Sequence, residues 1–294
     1  MPSKKFNAFA PLMHVLPVKI RLRFLFLVKQ RRLLDLEYPH SFNEKVQWRK
    51  LYDRRDEFPI LVDKLRVKEF VSIKVPEVIV PKVYRSGAKL TDLHLSELVP
   101  PYVIKANHAS GTNWIVKDYR SVPRDLELLE KRWRSLRLSD TFGEWAYSQV
   151  PIRFFVEEFL PFSDSVPIDF KIWVFHGRAE FIQVDTDRFQ GHKRAFFDRQ
   201  WRKQPFLLTF PDVTYNVRKP DNLEEMLLVA EKIADNLDFA RIDLYTTNEA
   251  IYFGEITLYP DAGHGAFYPS EYDFFVGSFW ALPSSTADLQ KVDD

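Results

Sequence analysis

The sequence predicts an α+β protein in which helical segments alternate with antiparallel β-hairpins. Hydrophobic side chains recur at helical spacing in residues 41–74 and 221–237, whereas short apolar runs separated by polar turns dominate residues 102–117 and 152–185. A further strand pair occupies residues 239–257. The chain has 294 residues, of which 46% are hydrophobic and 15% aromatic, so it can bury the cores of two lobes.

The composition excludes several kinds of functional site. There is no Cys, which removes disulfides, thiolate zinc sites and Cys nucleophiles. Only 9 Gly are present, without a GxGxxG or GxxxxGK[ST] pattern, so Rossmann and Walker phosphate loops are absent. The 42 basic and 41 acidic residues nearly cancel, and we therefore expect no nucleic-acid partner.

The basic residues are concentrated at the N-terminus. Residues 1–55 carry 13 Lys or Arg against 4 Asp or Glu, a net charge of +9, which leaves −8 for the rest. The apolar run within Lys19–Arg32 is far shorter than the roughly 20 residues that span a bilayer, and no secretory signal pattern is present. We expect a cytoplasmic protein whose basic segment either packs on the body or contacts the anionic inner face of the membrane.

The first half of the chain predicts helices followed by two strands. Residues 41–74 have helical spacing, and Ser41 with Glu44 forms a capping box at their start. Two prolines then end the helical pattern. Tyr102–Lys105 is a predicted strand that leads through a polar turn into a second strand, Trp114–Lys117.

The second half predicts a sheet with one covering helix. A charged helix near Arg124–Leu138 precedes an apolar strand at Ile152–Leu160. Asp169–Phe175 and Arg178–Asp185 flank a His-Gly turn and form a predicted hairpin. The apolar residues of the helix at 221–237 fall on one face, which we expect to pack against this sheet.

The two strands of the last hairpin carry charged residues on one face. Alternation places Arg241 and Asp243 on the same side of the first strand and Glu255 on the corresponding side of the second. Pairing Tyr245 with Ile251 would place Arg241 opposite Glu255. Such a cluster is either a Mg²⁺ site completed by substrate phosphates or an ion pair without a function.

Four sequence segments closely resemble the TupA-like (teichuronopeptide biosynthesis) ATP-grasp family. They are SFNEKVQWRKLYDRRDEF, KANHASGTNWIVKD, DFKIWVFHGRAEFIQVDTDRF and YFGEITLYPDAG, and the resemblance extends over Ser41–Trp280. It implies an ATP-grasp fold of two α+β lobes with ATP between them. We divide the chain into an N-terminal basic helical region (1–60), a small lobe (61–150), a catalytic lobe (151–282) and a polar tail (283–294).

The resemblance also implies the reaction. ATP-grasp ligases phosphorylate a carboxylate, and an amine then attacks the acylphosphate to form an amide. The implied cofactors are ATP and Mg²⁺. The implied substrates are a carboxylate-bearing saccharide, such as a uronic acid of a surface polysaccharide or its precursor, and an amino acid or other amine.

Nucleotide contacts carry over to several parts of the sequence. Lys68 and Lys105 match the family's phosphate-binding lysines, and a Lys can bind phosphate as a point charge. The phosphate loop matches Ser110, Gly111 and Thr112, and the adenine-binding strand matches Glu157, Glu158, Phe159 and Leu160. The ribose carboxylate is expected either in that strand or at Asp169, and Lys171 is a further expected nucleotide contact.

Metal and phosphoryl contacts carry over to the last hairpin. Asp243 and Glu255 match the metal-bridging acids, and Arg241 matches the residue that neutralises the transferring phosphoryl group. Thr257 occupies the third metal position, where most ATP-grasp ligases have Asn, so its shorter hydroxyl is expected to reach a metal only through water.

A basic insertion follows the predicted 169–185 hairpin. Lys193 and Arg194, with His192, are expected to hold the γ-phosphate or an anionic acceptor, or else to form an exposed basic turn. His264 follows the metal strand, where it is either a substrate contact and base or a structural residue.

Two other functional classes remain open from the residues alone. Asp185 and Asp187 form a DxD triplet, the pattern with which many glycosyltransferases hold a metal on a nucleotide sugar. No strand-helix half of a Rossmann-like fold precedes it, which ranks this alternative second. A third interpretation, a catalytically inactive binding module, draws on the unusual Thr257.

Overall fold

The computed structural model describes residues 16–136, 141–160, 168–186, 191–247 and 249–283. Its α-helices are α1 (Val18–Gln30), α2 (Phe42–Tyr52), α3 (Phe58–Val62), α4 (Arg66–Lys74), α5 (Leu126–Arg134), α6 (Trp145–Ser148), α7 (Leu223–Ile233) and α8 (Glu271–Ser278). Its β-strands are β1 (Val83–Gly87), β2 (Tyr102–Ala106), β3 (Asn113–Val116), β4 (Phe154–Glu158), β5 (Asp169–Phe175), β6 (Arg178–Thr186), β7 (Lys193–Asp198), β8 (Leu207–Leu208), β9 (Phe239–Thr246), β10 (Ile251–Thr257) and β11 (Phe267–Tyr268). The strands form separate antiparallel sheets, which confirms the predicted α+β class.

The smaller of the two main sheets has the strand order β1-β4-β2-β3, with every pair antiparallel. Its buried side packs on α5, where Leu129 and Trp133 join Phe154 in one apolar cluster. Because β4 belongs to this sheet, the small-lobe sheet extends past residue 150, the boundary drawn from the sequence, to Glu158. Phe159 and Leu160 follow the end of the strand rather than lying in it.

The larger sheet has the strand order β10-β9-β5-β6-β7, again with every pair antiparallel. The predicted 169–185 hairpin is confirmed as β5 and β6. Helix α7 packs on the sheet through its apolar stripe, as its spacing predicts. Phe42 of α2 contacts Trp173 of β5 with a ring separation of 4.9 Å, which draws the N-terminal helices into the same core.

The predicted helical stretch at 41–74 is three helices rather than one. The capping box is confirmed: Ser41 accepts a hydrogen bond from the Glu44 amide, and Glu44 in turn accepts from Ser41. The first helix ends before Asp53, which has an extended backbone. Asp63 has an extended backbone after α3, and its side chain accepts hydrogen bonds from the amides of residues 65 and 66, which stabilises a turn between α3 and α4 in place of a continuous helix.

The predicted register of the last hairpin is wrong by one residue at the turn and by two at the acids. Ile251 pairs with Thr246, and Glu255 therefore faces Asp243 instead of Arg241. The additional shift comes from a bulge at Gly254, where a Cβ atom would lie 2.9 Å from the Asp243 carbonyl oxygen. A Gly in a strand interior is typical of such a bulge.

The basic segment forms helix α1 and packs on the body through Leu22 and Phe26. None of the helices in the described part of the chain is both long and apolar enough to cross a bilayer. Residues 1–15, Asp187 and the tail from residue 284 lie outside the described residues.

Candidate active site

One face of the larger sheet carries a row of polar side chains that crosses four strands. Glu255 faces Asp243, Asp243 faces Lys171, and Lys171 faces Gln183. Directly opposed residues in antiparallel strands project to the same side, so these four groups share one surface. Paired positions thus bring together charged residues that are widely separated in the sequence.

Arg241 lies beside this row and holds Asp243 with a two-pronged contact. Its Nε donates to Asp243 Oδ1 at 2.7 Å and its Nη2 to Oδ2 at 2.8 Å. Nη2 also donates to the Thr257 hydroxyl at 2.9 Å. Burial alone would lower the pKa of Arg241, but the charge of Asp243 outweighs it and raises that pKa, so the guanidinium stays protonated.

Lys171 connects two acids. Its ammonium group donates to Asp169 Oδ2 at 2.6 Å and also to Asp243 Oδ2. Asp243 therefore accepts from both Lys171 and Arg241, and all three side chains are almost fully buried. Buried charges are tolerated only when they are paired in this way, so the cluster is held in one arrangement before any ligand binds.

Glu255 is the most accessible acid of the row. Its side chain is 33% exposed, with Oε2 at 3.3 Å from Lys64 Nζ and Oε1 at 3.6 Å from Arg241 Nη2. Burial would raise the pKa of Glu255, but the charges of Lys64, Lys171 and Arg241 lower it to about 2. Glu255 is therefore a carboxylate at neutral pH and lacks a hydrogen bond as short as those on Asp243.

A second group adjoins the row at the β6–β7 edge. Arg194 donates to Asp185 Oδ1 at 2.7 Å and to Asp261 Oδ2 at 3.0 Å. Gln183 donates to both Asp185 oxygens at 3.1 Å, and His192 Nε2 lies 3.4 Å from Oδ1. Burial opposes ionisation of Asp185, but Arg194 outweighs it and lowers the pKa of that carboxyl well below its usual range. Asp185 thus holds Arg194 in position.

In the small lobe, Lys68 and Lys105 share one buried carboxylate. Glu157 Oε2 lies 2.9 Å from Lys68 Nζ, and Oε1 contacts Lys105 Nζ. Lys68 also donates to the Pro81 carbonyl at 3.2 Å, and only 10% of its side chain is exposed, against 26% for Lys105. Both predicted phosphate-binding lysines therefore lie together, with Lys105 the more accessible.

The predicted phosphate loop is the turn between β2 and β3. Gly111 has φ +74°, and a Cβ atom there would meet nothing within 4 Å, while Ser110 is exposed. The Thr112 hydroxyl donates to carbonyls inside the turn, at 3.1 Å and 3.3 Å. Its side chain therefore stabilises the turn, which leaves backbone amides and Ser110 for a ligand.

Three predicted site residues, Lys193, Thr257 and His264, differ in their contacts from the site residues described above. Lys193 projects to the opposite side of β7 from Arg194, towards Thr214 and the Tyr215 ring. Thr257 faces the site, but its hydroxyl accepts from Arg241. His264 has no hydrogen-bond partner for either ring nitrogen among the described residues, and burial lowers its pKa well below the ordinary value.

The two carboxylates of this site, Asp243 and Glu255, fit the ligands of a Mg²⁺ ion bound to a nucleotide. Asp243 and Glu255 offer carboxylate oxygens, which Mg²⁺ prefers. Across the described ranges, no three acidic or His side chains converge closely enough to form a complete metal cage. A metal held by these two acids would take its remaining ligands from phosphate and water, which is usual for Mg²⁺ at nucleotide sites.

Several site residues were missed in the sequence. Gln183 lies two residues before Asp185 on β6 and faces Lys171, so the hairpin pattern could have indicated that it shares their face, whereas Asp185 was considered only as part of the DxD triplet. Lys64 and Asp261 carry no such signal, because Lys64 lies in a turn and Asp261 in a short 3-10 helix, and both reach the site only through the tertiary fold.

Comparisons with known proteins show which family and which solved structures the chain resembles. The model of the family described as "TupA-like ATPgrasp" matches residues 44–280. Among solved structures, D-alanine–D-alanine ligase from Bacillus anthracis is similar at 17% identity and a TM-score of 0.39, covering 67% of this chain and 57% of its own. The corresponding ligase from Helicobacter pylori is 12% identical with a TM-score of 0.43, covering 83% and 70%.

A third structure belongs to a different ligase. Phosphoribosylglycinamide synthetase from Anaerococcus prevotii is 15% identical with a TM-score of 0.36, covering 74% of this chain and 48% of its own.

This chain spans little more than half the length of the Bacillus anthracis ligase. No match was found among curated proteins.

Proposed function

Because the chain belongs to the TupA-like ATP-grasp family, we propose that it is an ATP-dependent ligase that joins a carboxylate to an amine through an acylphosphate. The carboxylate we propose is a uronic acid of a surface polysaccharide or its precursor, and the amine an amino acid or a related compound. The family resemblance supports this choice of substrates. The reaction type is supported independently by the charged groups on the larger sheet.

The observation that carries the proposal is the cluster of Arg241, Asp243, Lys171 and Glu255 on one sheet face. Phosphoryl transfer needs positive charge around the transferring group and little other chemistry from the protein. Arg241 and Lys171 provide two cations fixed by Asp243. Glu255 and Asp243 would hold Mg²⁺, whose charge would lower the cost of the negative charge on the phosphate oxygens.

In the first step, a carboxylate oxygen of the saccharide attacks the γ-phosphorus of ATP, and the bond from that phosphorus to the β,γ-bridging oxygen breaks. ADP leaves with the electron pair, and the carboxylate becomes an acylphosphate. Lys68 and Lys105 are placed to bind the nucleotide phosphates, with Glu157 keeping both ammonium groups close together.

In the second step, the amine attacks the acyl carbon, phosphate leaves with the bond electrons, and the amine nitrogen loses a proton. Arg194 is the cation best placed to orient an anionic acceptor, because Asp185 and Asp261 hold its guanidinium from two sides. We assign Asp185 to positioning Arg194, whose Nε and Nη2 donate to Oδ1 at 2.7 Å and to Oδ2 at 3.3 Å.

Isotope transfer tests the proposal directly. Purified protein is incubated with ATP, Mg²⁺, an amine and a uronic acid labelled with ¹⁸O in its carboxylate, and the masses of phosphate and product are measured. We expect one label in phosphate for each amide formed, with ADP released only when the carboxylate is present. Consumption of a nucleotide sugar without ATP, and without labelled phosphate, would reject the ligase in favour of glycosyl transfer.

A further inference from the structure

Helix α1 has one face buried in the body and an opposite face that is apolar but exposed. Leu22, Leu25 and Phe26 are at most 1% exposed and form the inner face. On the outer face, Ile20 is 52% exposed and Phe24 48%. A helix that packs on a globular body normally keeps its apolar residues on the inner face, so the outer apolar side chains need a different explanation.

Cations surround this outer face and acids are absent from it. Lys19, Arg23, Lys29 and Arg31 are all exposed, and residues 16–34 contain no Asp or Glu. Arg32, by contrast, points inwards and donates to Ser41 Oγ at 2.6 Å and to Asp273 Oδ2 at 2.9 Å. Apolar residues bordered by Lys and Arg are typical of helices that lie in the headgroup region of an anionic leaflet.

The helix is fixed to the catalytic lobe. Gln30 Nε2 donates to the Gly265 carbonyl at 3.2 Å, and Arg32, just after the helix, donates to Asp273 Oδ2 at 2.9 Å. Gly265 closely follows Asp261, which holds Arg194. Helix α1 is therefore attached to the segment that adjoins the candidate acceptor cation.

We propose that the outer face of α1 is a membrane-docking surface that binds anionic phospholipid. A protein partner is a poorer fit, because the centres of protein interfaces are depleted of Lys. In the sequence, residues 1–15 add Lys4 and Lys5 and no acid, which increases the positive charge of this part of the chain. Each basic residue near an anionic leaflet strengthens binding by roughly fivefold.

Vesicle co-sedimentation of the full-length protein tests this surface. The probes are phosphatidylcholine vesicles with and without phosphatidylglycerol, compared at low salt and at about 1 M salt, where exposed charges are screened. We expect the protein to sediment with the anionic vesicles only, and high salt to release a large part of it. Failure to bind the anionic vesicles more than the neutral ones would overturn the proposal.

Two variants assign the binding to α1. Ile20→Ser combined with Phe24→Ser should lower partitioning at least about tenfold, because both side chains would leave the interface. Adding Arg23→Glu to this double variant should lower its partitioning to anionic vesicles further. Leu228→Ser is the matched control, since Leu228 is 55% exposed on α7, and it should bind as the unmodified protein does.

Thermal melts of the same variants test whether another part of the protein covers the outer face of α1. If Ile20 and Phe24 face solvent, the double variant should melt within about 2 °C of the unmodified protein. A large fall in melting temperature, or vesicle binding equal to that of the unmodified protein, would show that the face is covered or irrelevant and would contradict the proposal.

Discussion

Asp243 and Glu255 face each other directly across the β9–β10 hairpin, and the bulge at Gly254 makes this pairing possible. Without the bulge, the register at the turn would place Gly254 opposite Asp243 and would move Glu255 to the opposite side of the sheet. The two carboxylates that we assign to Mg²⁺ are thus brought to one surface by a residue that has no side chain.

Gly254→Ala should impair the site without abolishing folding. The added Cβ would lie 2.9 Å from the Asp243 carbonyl oxygen and 3.1 Å from the Tyr245 ring, so β10 must shift. We expect a loss of about 1–3 kcal/mol in the free energy of unfolding and weaker Mg²⁺-dependent ATP binding. Urea unfolding and titration calorimetry measure the two effects. Unchanged nucleotide binding would show that the bulge does not position Glu255 for the metal.

Glu255→Gln tests whether turnover needs the negative charge of Glu255 or only the size of its side chain. The amide keeps the size of the side chain but loses the charge that would hold Mg²⁺, and we expect turnover to fall at least about 100-fold. Because the side chain is 33% exposed, the unfolding free energy should change by less than about 1 kcal/mol. Asp221→Asn, at a pair exposed on the surface, is the matched control with unchanged turnover. Near-normal turnover in Glu255→Gln would exclude Glu255 from the metal site.

Local patterns in the sequence were sufficient to predict helices and strands, but they did not predict every residue of the site. Alternation predicted that Arg241 and Asp243 share a face, and the Ser41–Glu44 spacing predicted the cap of α2. Both depend on neighbouring residues only. The contact of Lys64 with Glu255 depends on how a loop before α4 meets the last strand, and no periodic pattern encodes that.

The Gly254 bulge is an intermediate case. An isolated Gly within a strand is a recognised signal of a bulge, but the sequence does not show which way the register shifts. The shift depends on how closely the backbone at residue 254 approaches Asp243 and Tyr245, where a Cβ atom would lie within 2.9 Å and 3.1 Å of them, and this approach exists only in the folded hairpin.

Lys105→Met and Lys68→Met should have different effects although both lysines contact Glu157. Lys105 is the more exposed, so its removal should weaken ATP binding about tenfold while stability changes little. Lys68 is deeper and also bonds the Pro81 carbonyl, so its removal should mainly lower the unfolding free energy, by about 1–3 kcal/mol. Calorimetry with a non-hydrolysable ATP analogue and urea unfolding distinguish them. The reverse order of the two effects would contradict the assignment of Lys105 to phosphate.

Asp238 should stabilise the fold through a pair of arginines that we assign no part in the chemistry. Its Oδ1 lies 2.9 Å from Arg49 Nη2 and also contacts Arg55, and its Oδ2 accepts from Trp280 Nε1 at 2.6 Å. Asp238→Asn removes the charge between two cations, one of them fully buried, and should cost about 3–5 kcal/mol of unfolding free energy at neutral pH. Asp221→Asn, which breaks an exposed pair with Arg218, should cost at most about 1 kcal/mol.

The stabilisation that Asp238 provides should depend on pH. Burial opposes ionisation of Asp238, but the charges of Arg49 and Arg55 outweigh it and lower its pKa well below the ordinary value of about 3.9. The stabilisation is therefore complete above about pH 4 and decreases as pH falls towards the lower pKa of the folded state. The unmodified protein should lose stability on acidification below about pH 4 more steeply than Asp238→Asn does. Urea unfolding of both proteins from about pH 6 to pH 3 measures the two slopes, and equal slopes would mean that Asp238 titrates normally in the folded protein.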